Sequence, residues 1–117
     1  VVFLLTGWHR FWTNYDRSKK KDATGEMPFP GYSVEAEQFL VERRQVRGIG
    51  LDTLSIDPGN SKDFAVHHIV NGAGRYGLEN VARLDELPAK GFYVIVAPLK
   101  IEDGTGGPCR IFAVLPK

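Results

Sequence analysis

The chemistry of this chain is concentrated in Val66-His67-His68-Ile69-Val70-Asn71-Gly72-Ala73-Gly74-Arg75-Tyr76-Gly77-Leu78-Glu79-Asn80. Two of its three histidines lie here, followed by a Gly-Ala-Gly bend and a carboxylate set between Leu78 and Val81. A charge is costly to bury unless it meets a partner. Glu79 therefore calls for a metal ion, an arginine or a hydrogen-bond network. His67 and Glu79 are twelve positions apart, which is not a helical spacing. Only a chain reversal at Gly72-Ala73-Gly74 would let the two side chains converge. An imidazole nitrogen and a carboxylate oxygen brought together that way would suit Zn²⁺, Mn²⁺ or a similar ion. Two donors do not close a site, so further ligands would come from elsewhere. The competing structural reading has the histidine capping a helix and Glu79 paired with Arg75 or Arg83.

Other reactive side chains carry less. His68 would point elsewhere on a helix, partly exposed or supporting a neighbour. His9 follows Trp8 after the first apolar run and could line a pocket there, or serve structure alone. Cys109, the single cysteine, excludes an intrachain disulfide and reads as an inert small apolar residue. Ser55 lacks the glycine setting of a nucleophile elbow. Gly72-Ala73-Gly74 follows a helix and is no dinucleotide fingerprint. The basic stretch Arg17–Lys21 has no glycine cradle or interleaved aromatics, so it reads as a solvated loop.

The elements that must position these groups follow from periodicity. Val1–Leu5 is apolar on both faces and predicts a buried strand ending at Thr6-Gly7-Trp8. Met27–Gly31 is a turn. Ser33 is the N-cap of a helix whose first turn carries Glu35 and Glu37 at the positive end of the dipole. Its apolar face is Ala36, Phe39 and Leu40, and it stops before Gly48. Ile49–Asp57 alternates as a strand and closes at Asp57-Pro58-Gly59-Asn60. A short helix is expected over Ser61–Val70, then an extended segment Tyr76–Val81 and a turn at Asp85–Pro88. Gly91–Leu99 is the clearest strand, and its β-branched and aromatic content predicts a central place in a sheet. Cys109–Leu115 closes the chain. The order predicts an α/β fold with a mixed sheet.

The 117 residues suit one domain, and 43% hydrophobic with 25% charged residues is ordinary for a globular chain. A net charge of +1 gives no field to favour nucleic acid or anionic membranes. No apolar run approaches the ~20 residues of a membrane helix. Opening without methionine in an apolar strand suggests a piece of a longer polypeptide.

In order and spacing, several segments resemble the cyclase family of metal-dependent hydrolases. They are Leu4-Leu5-Thr6-Gly7-Trp8, Phe29-Pro30-Gly31-Tyr32-Ser33-Val34-Glu35-Ala36, Val46–Asp57, His67 to Glu79 with Asn80, Leu84–Pro88 and Ala97–Ile101. The resemblance implies a swivelling β/β/α domain, of which residues 1–117 would be the C-terminal portion. It implies hydrolysis of an amide C–N bond, in an arylformamide or a cyclic amide, by metal-activated water. It places a divalent metal, Zn or Mn, on His67 and Glu79. Glu79 would also assist proton transfer, and Trp8 would wall the pocket of a small aromatic amide. It further implies a homo-oligomer, and the lack of any possible disulfide pair leaves the cytoplasm as the default location. The family's upstream segment His-x-Gly-Thr-His-x-Asp-x-Pro-x-His is absent, so this chain alone is expected to be inactive. The alternative is a catalytically silent relative or an assembly module, in which His67 and Glu79 make only structural hydrogen bonds.

Overall fold

Strand β2, Gly48–Leu51, is buried along its whole length and pairs on both sides. It lies in a computed structural model that describes residues 1–14 and 21–116, in two units, Val1–Asp85 and Glu86–Lys117. In the first unit β1 (Val2–Leu4) and β3 (Tyr76–Leu78) flank β2, both parallel to it. The register sets Val2 opposite Ile49 and Gly48 opposite Tyr76. Parallel neighbours need long crossovers. Here these carry helix α1 (Val34–Gln38) and helix α2 (Ala65–Gly72). The glycines of β2 admit their neighbours closely. A Cβ on Gly50 would lie 2.7 Å from the Phe3 ring, and one on Gly48 2.4 Å from the Tyr76 ring.

The core is Tyr32, Ile49, Leu51, Ile56, Val66 and Val70, with Leu4, Leu40 and Val46 packed against it. Tyr32 is amphipathic: its ring fills the core while its hydroxyl donates to the Gly50 carbonyl at 2.9 Å. Burial and the nearby Glu37 push that phenol above its ordinary range.

The helices differ from expectation in register. Ser33 does cap α1, accepting from the Ala36 N–H at 3.2 Å. The regular helix lasts only to Gln38, and Phe39–Arg43 continues as a wider π turn, its end marked by Arg44 N–H donating to the Phe39 carbonyl. Ala36 and Phe39, expected on the inward face, are exposed, and Glu37 is buried instead. Arg44 lies over the Phe39 ring at 5.0 Å, which covers part of that exposed aromatic. Helix α2 begins four residues later than Ser61, because its first-turn N–H groups are satisfied from Asp57 rather than from the Ser61 segment. β1 is half-buried, not fully buried, with Val1 and Leu5 exposed at its ends.

In the second unit β4 (Tyr93–Pro98) and β5 (Cys109–Val114) form an antiparallel pair, with Tyr93 opposite Val114. The expected central position of the Gly91–Leu99 strand is not found among the described residues. β5 is the strand paired with it, and Tyr93, Ile95, Phe112 and Val114 are exposed. Nor do the described residues form a mixed sheet, since their parallel and antiparallel pairings fall in separate sheets. Cys109 is free and exposed rather than packed. Of the basic segment Arg17–Lys21, all but Lys21 lies outside the described residues.

Glu37 is the energetic anomaly. It is 0% exposed, and neither carboxylate oxygen has a hydrogen-bond partner among the described residues. Burial raises its pKa above the ordinary 4.5. A raised folded-state pKa means the penalty is absent below 4.5 and grows as pH rises through the folded value. Glu37→Gln is therefore expected to stabilise the protein by about 1–3 kcal/mol near neutral pH. Urea unfolding at several pH values checks this, and the gain should shrink as the pH falls below the ordinary glutamate range.

Candidate functional site

Three loops leave the carboxyl ends of β1, β2 and β3, where open parallel sheets place their ligands. Each delivers part of a polar cluster. The loop after β1 brings Thr6, Trp8 and His9. The loop after β2 brings Asp52 and Asp57, and Glu79 follows β3 directly. The histidine opposite Glu79 comes from the first turn of α2.

His67 and Glu79 converge, as the bend at Gly72-Ala73-Gly74 requires. Gly74 takes a φ of +65°, and Arg75 N–H donates to the Val70 carbonyl, turning the chain from α2 into β3. His67 Nε2 lies 3.3 Å from Glu79 Oε1, each side chain about one-third exposed. The same Glu79 oxygen accepts the Ile56 N–H at 3.0 Å, which ties the carboxylate to the β2 loop. On the other side of the ring, His67 Nδ1 lies 2.5 Å from Asp57 Oδ2. The groups that face Glu79 Oε1 are thus the imidazole and the Ile56 N–H. His68, next in the chain, is exposed.

A second carboxylate–imidazole pair lies beside β1. Asp52 is fully buried and accepts from Thr6 N–H at 2.8 Å, Thr6 Oγ1–H at 2.6 Å and His9 N–H at 3.2 Å, with His9 Nδ1 at 2.8 Å. Burial alone would push this carboxyl up. The hydrogen bonds from Thr6 and His9 outweigh it and hold the group down at about 2. The other ring nitrogen of His9 faces Asp85 at 3.6 Å. Thr6 Oγ1 also accepts the Trp8 N–H at 3.1 Å, so Asp52 organises the turn that carries Trp8. The Trp8 ring packs edge-on against Phe11 and Phe29, with centroids 5.2 and 6.2 Å away. His9 is thus tied by its backbone and its ring to the buried Asp52.

The donor chemistry at His67 and Glu79 suits a divalent cation. Nδ1 is engaged by Asp57, which leaves Nε2 facing a carboxylate oxygen. No group of three His, Cys, Asp or Glu side chains converges as a metal cage among the described residues. The pair itself supplies two donors.

Residues 1–58 match the Cyclase family. Along 99% of its length the chain is 35% identical to isatin hydrolase from Roseibium aggregatum, and it covers 45% of that protein. It is 33% identical over 80% of its length to kynurenine formamidase from Bacillus thuringiensis, again covering 45%. The structure of isatin hydrolase A from Ralstonia solanacearum superposes on 97% of the chain with a TM-score of 0.89 at 32% identity, which is 45% of that chain. The chain belongs to the Cyclase family. It spans a little under half the length of the curated relatives it matches. Among the described residues of this family member, no helix is long and apolar enough to cross a membrane.

The sequence reading missed Asp52, Asp57 and Thr6 as parts of the site. Asp57 reads as turn chemistry beside Pro58, and Asp52 as the polar phase of an alternating strand. The available signal was position: both acids lie just past the strand that parallel pairing buries most deeply.

Because the folded-state pKa of Asp52 is depressed, its stabilisation is present above the ordinary 3.8 and is lost as pH falls towards about 2. Asp52→Asn is expected to cost roughly 2 kcal/mol at neutral pH. Chemical denaturation of both proteins should show the difference closing across that acid window.

Proposed function

We propose that this chain is part of a metal-dependent hydrolase acting on an amide C–N bond, and that His67 and Glu79 are two of its metal ligands. The observation that carries the reading is the convergence of His67 Nε2 and Glu79 Oε1 at 3.3 Å beyond the carboxyl end of a parallel sheet. The likeness to proteins named isatin hydrolase and kynurenine formamidase supports the reaction class, a cyclic amide or an arylformamide.

A divalent ion, Zn or Mn, would acidify water and polarise an amide carbonyl when bound. The residues of this chain have separate tasks. His67 offers Nε2 as a neutral donor. Glu79 offers a carboxylate whose Oε1 is steadied by the Ile56 N–H, and its other oxygen is available to accept a proton during hydrolysis. Trp8, held by the Thr6–Asp52 turn, would present an aromatic wall to an aryl substrate. The remaining metal ligands would come from protein outside this sequence, so the isolated chain would be inactive.

In this reading residues 1–117 form the C-terminal portion of one swivelling β/β/α domain that works in the cytoplasm. The exposed Tyr93, Ile95, Phe112 and Val114 of the β4–β5 pair support burial in a larger assembly, for which a homo-oligomer is the proposed form.

The test uses the complete natural protein containing this sequence. It should purify with, or be activated by, Zn or Mn, and hydrolyse isatin or an N-formyl aniline. His67→Ala and Glu79→Ala should each lower metal content and cut kcat/KM by at least about 100-fold. Metal analysis and turnover that are unchanged in both variants remove the proposal.

A further inference from the structure

Asp57 is 1% exposed, and its carboxylate is spent on the beginning of α2. Oδ1 accepts the Val66 N–H at 2.9 Å. Oδ2 accepts the His67 N–H at 3.1 Å and also faces His67 Nδ1 at 2.5 Å. One carboxylate oxygen therefore binds both the backbone and the ring of the same histidine. That fixes the side chain about its first torsion as well as the ring's orientation. The Phe64 ring, edge-on to the imidazole at 6.0 Å and 84°, packs beside it.

The acid is itself held. Asp57 N–H donates to Ser55 Oγ at 3.2 Å, and the backbone around it is clamped against Gly31, where a Cβ would lie 2.3 Å from the Asp57 carbonyl carbon. The chain uses the same device twice. At His9, too, the backbone N–H and Nδ1 both meet one oxygen of a buried aspartate, and Nε2 is turned towards a more exposed acid.

An ionised carboxylate has acceptors only. Both flanking carboxylates could accept the ring proton, but Asp57 Oδ2 lies 2.5 Å from Nδ1 whereas Glu79 Oε1 lies 3.3 Å from Nε2 and already accepts the Ile56 N–H, so Asp57 has the stronger claim and a neutral ring keeps its lone pair on Nε2. We infer that Asp57 is a positioning residue for His67: it selects the ring's Nδ1–H tautomer and its orientation, so that Nε2 is presented as a cation donor. This inference rests on the reading of His67 as a metal ligand, but its first consequence, the tautomer, is independent of any metal.

The discriminating variant is Asp57→Asn. Its one carbonyl oxygen can still cap a backbone N–H of α2, but its amide nitrogen cannot accept from Nδ1. The first readout is the ¹⁵N chemical shift of the two His67 ring nitrogens in the complete natural protein containing this sequence, stripped of metal, at a pH where imidazole is neutral. Wild type should show the Nδ1–H form and the variant a shift towards Nε2–H. The second readout is titration with Zn²⁺ alone, for which the variant should bind about 10–100-fold more weakly.

A folded variant with wild-type tautomer and wild-type Zn²⁺ affinity would mean that Asp57 merely caps the helix, and would overturn the inference. So would a wild-type ring protonated on Nε2, a result that needs no variant and holds even if Asp57→Asn fails to fold. His67→Ala separates the two levels. Unchanged Zn²⁺ binding in that variant refutes the metal reading, while the tautomer measurement still decides what Asp57 does.

Discussion

The carboxyl end of β2 must accommodate two buried aspartates, and the polar architecture of the first unit is organised by that constraint. Asp52 and Asp57 are 0% and 1% exposed. An ionised carboxylate at such a position is tolerated only when its lone pairs are filled by donors. Asp52 fills them from the turn after β1, and Asp57 fills them from the first turn of α2. The two acids thereby pin the neighbouring elements to the central strand. In doing so each takes one nitrogen of a histidine and leaves the other facing a more exposed acid, Asp85 or Glu79. Structure and chemistry share the same hydrogen bonds.

Glu37 shows the opposite outcome for a buried acid. It sits on the inner side of α1 without a partner among the described residues, close enough to Tyr32 to raise the phenol's pKa. Among the described residues nothing compensates it, whereas Asp52 is drawn down to about 2 by its donors despite its burial. Equal burial produces opposite pKa shifts because the number of donors differs. That contrast separates an acid built into the hydrogen-bonding pattern from one that the packing merely encloses.

The second unit has a different character. A two-stranded antiparallel pair is marginal by itself in water, and this one exposes apolar side chains along both strands. Its residue composition is that of a strand with neighbours on either side, which is why the sequence predicts a central position. Within the described residues the pairing partner is β5.

Much of the element order was legible in the sequence, because periodicity and turn residues are local. Ser33 acts as the N-cap expected of it, and the glycine bend after α2 reverses the chain so that His67 meets Glu79. The register of α1 was not legible. Glu37 is buried and Phe39 exposed, and from Phe39 the helix widens into a π turn, which a regular 3.6-residue pattern does not anticipate. Nor could the sequence assign partners to Asp52 and Asp57. Their hydrogen bonds to His9 and His67 span 43 and 10 positions, and parallel pairing of β1 on β2, together with the return of α2, brings the donors to them. Residue types determined which chemistry was available. Only the tertiary contacts decided which nitrogen of each imidazole meets the buried aspartate and which faces a second, more exposed acid, because that choice depends on acids delivered from other parts of the chain.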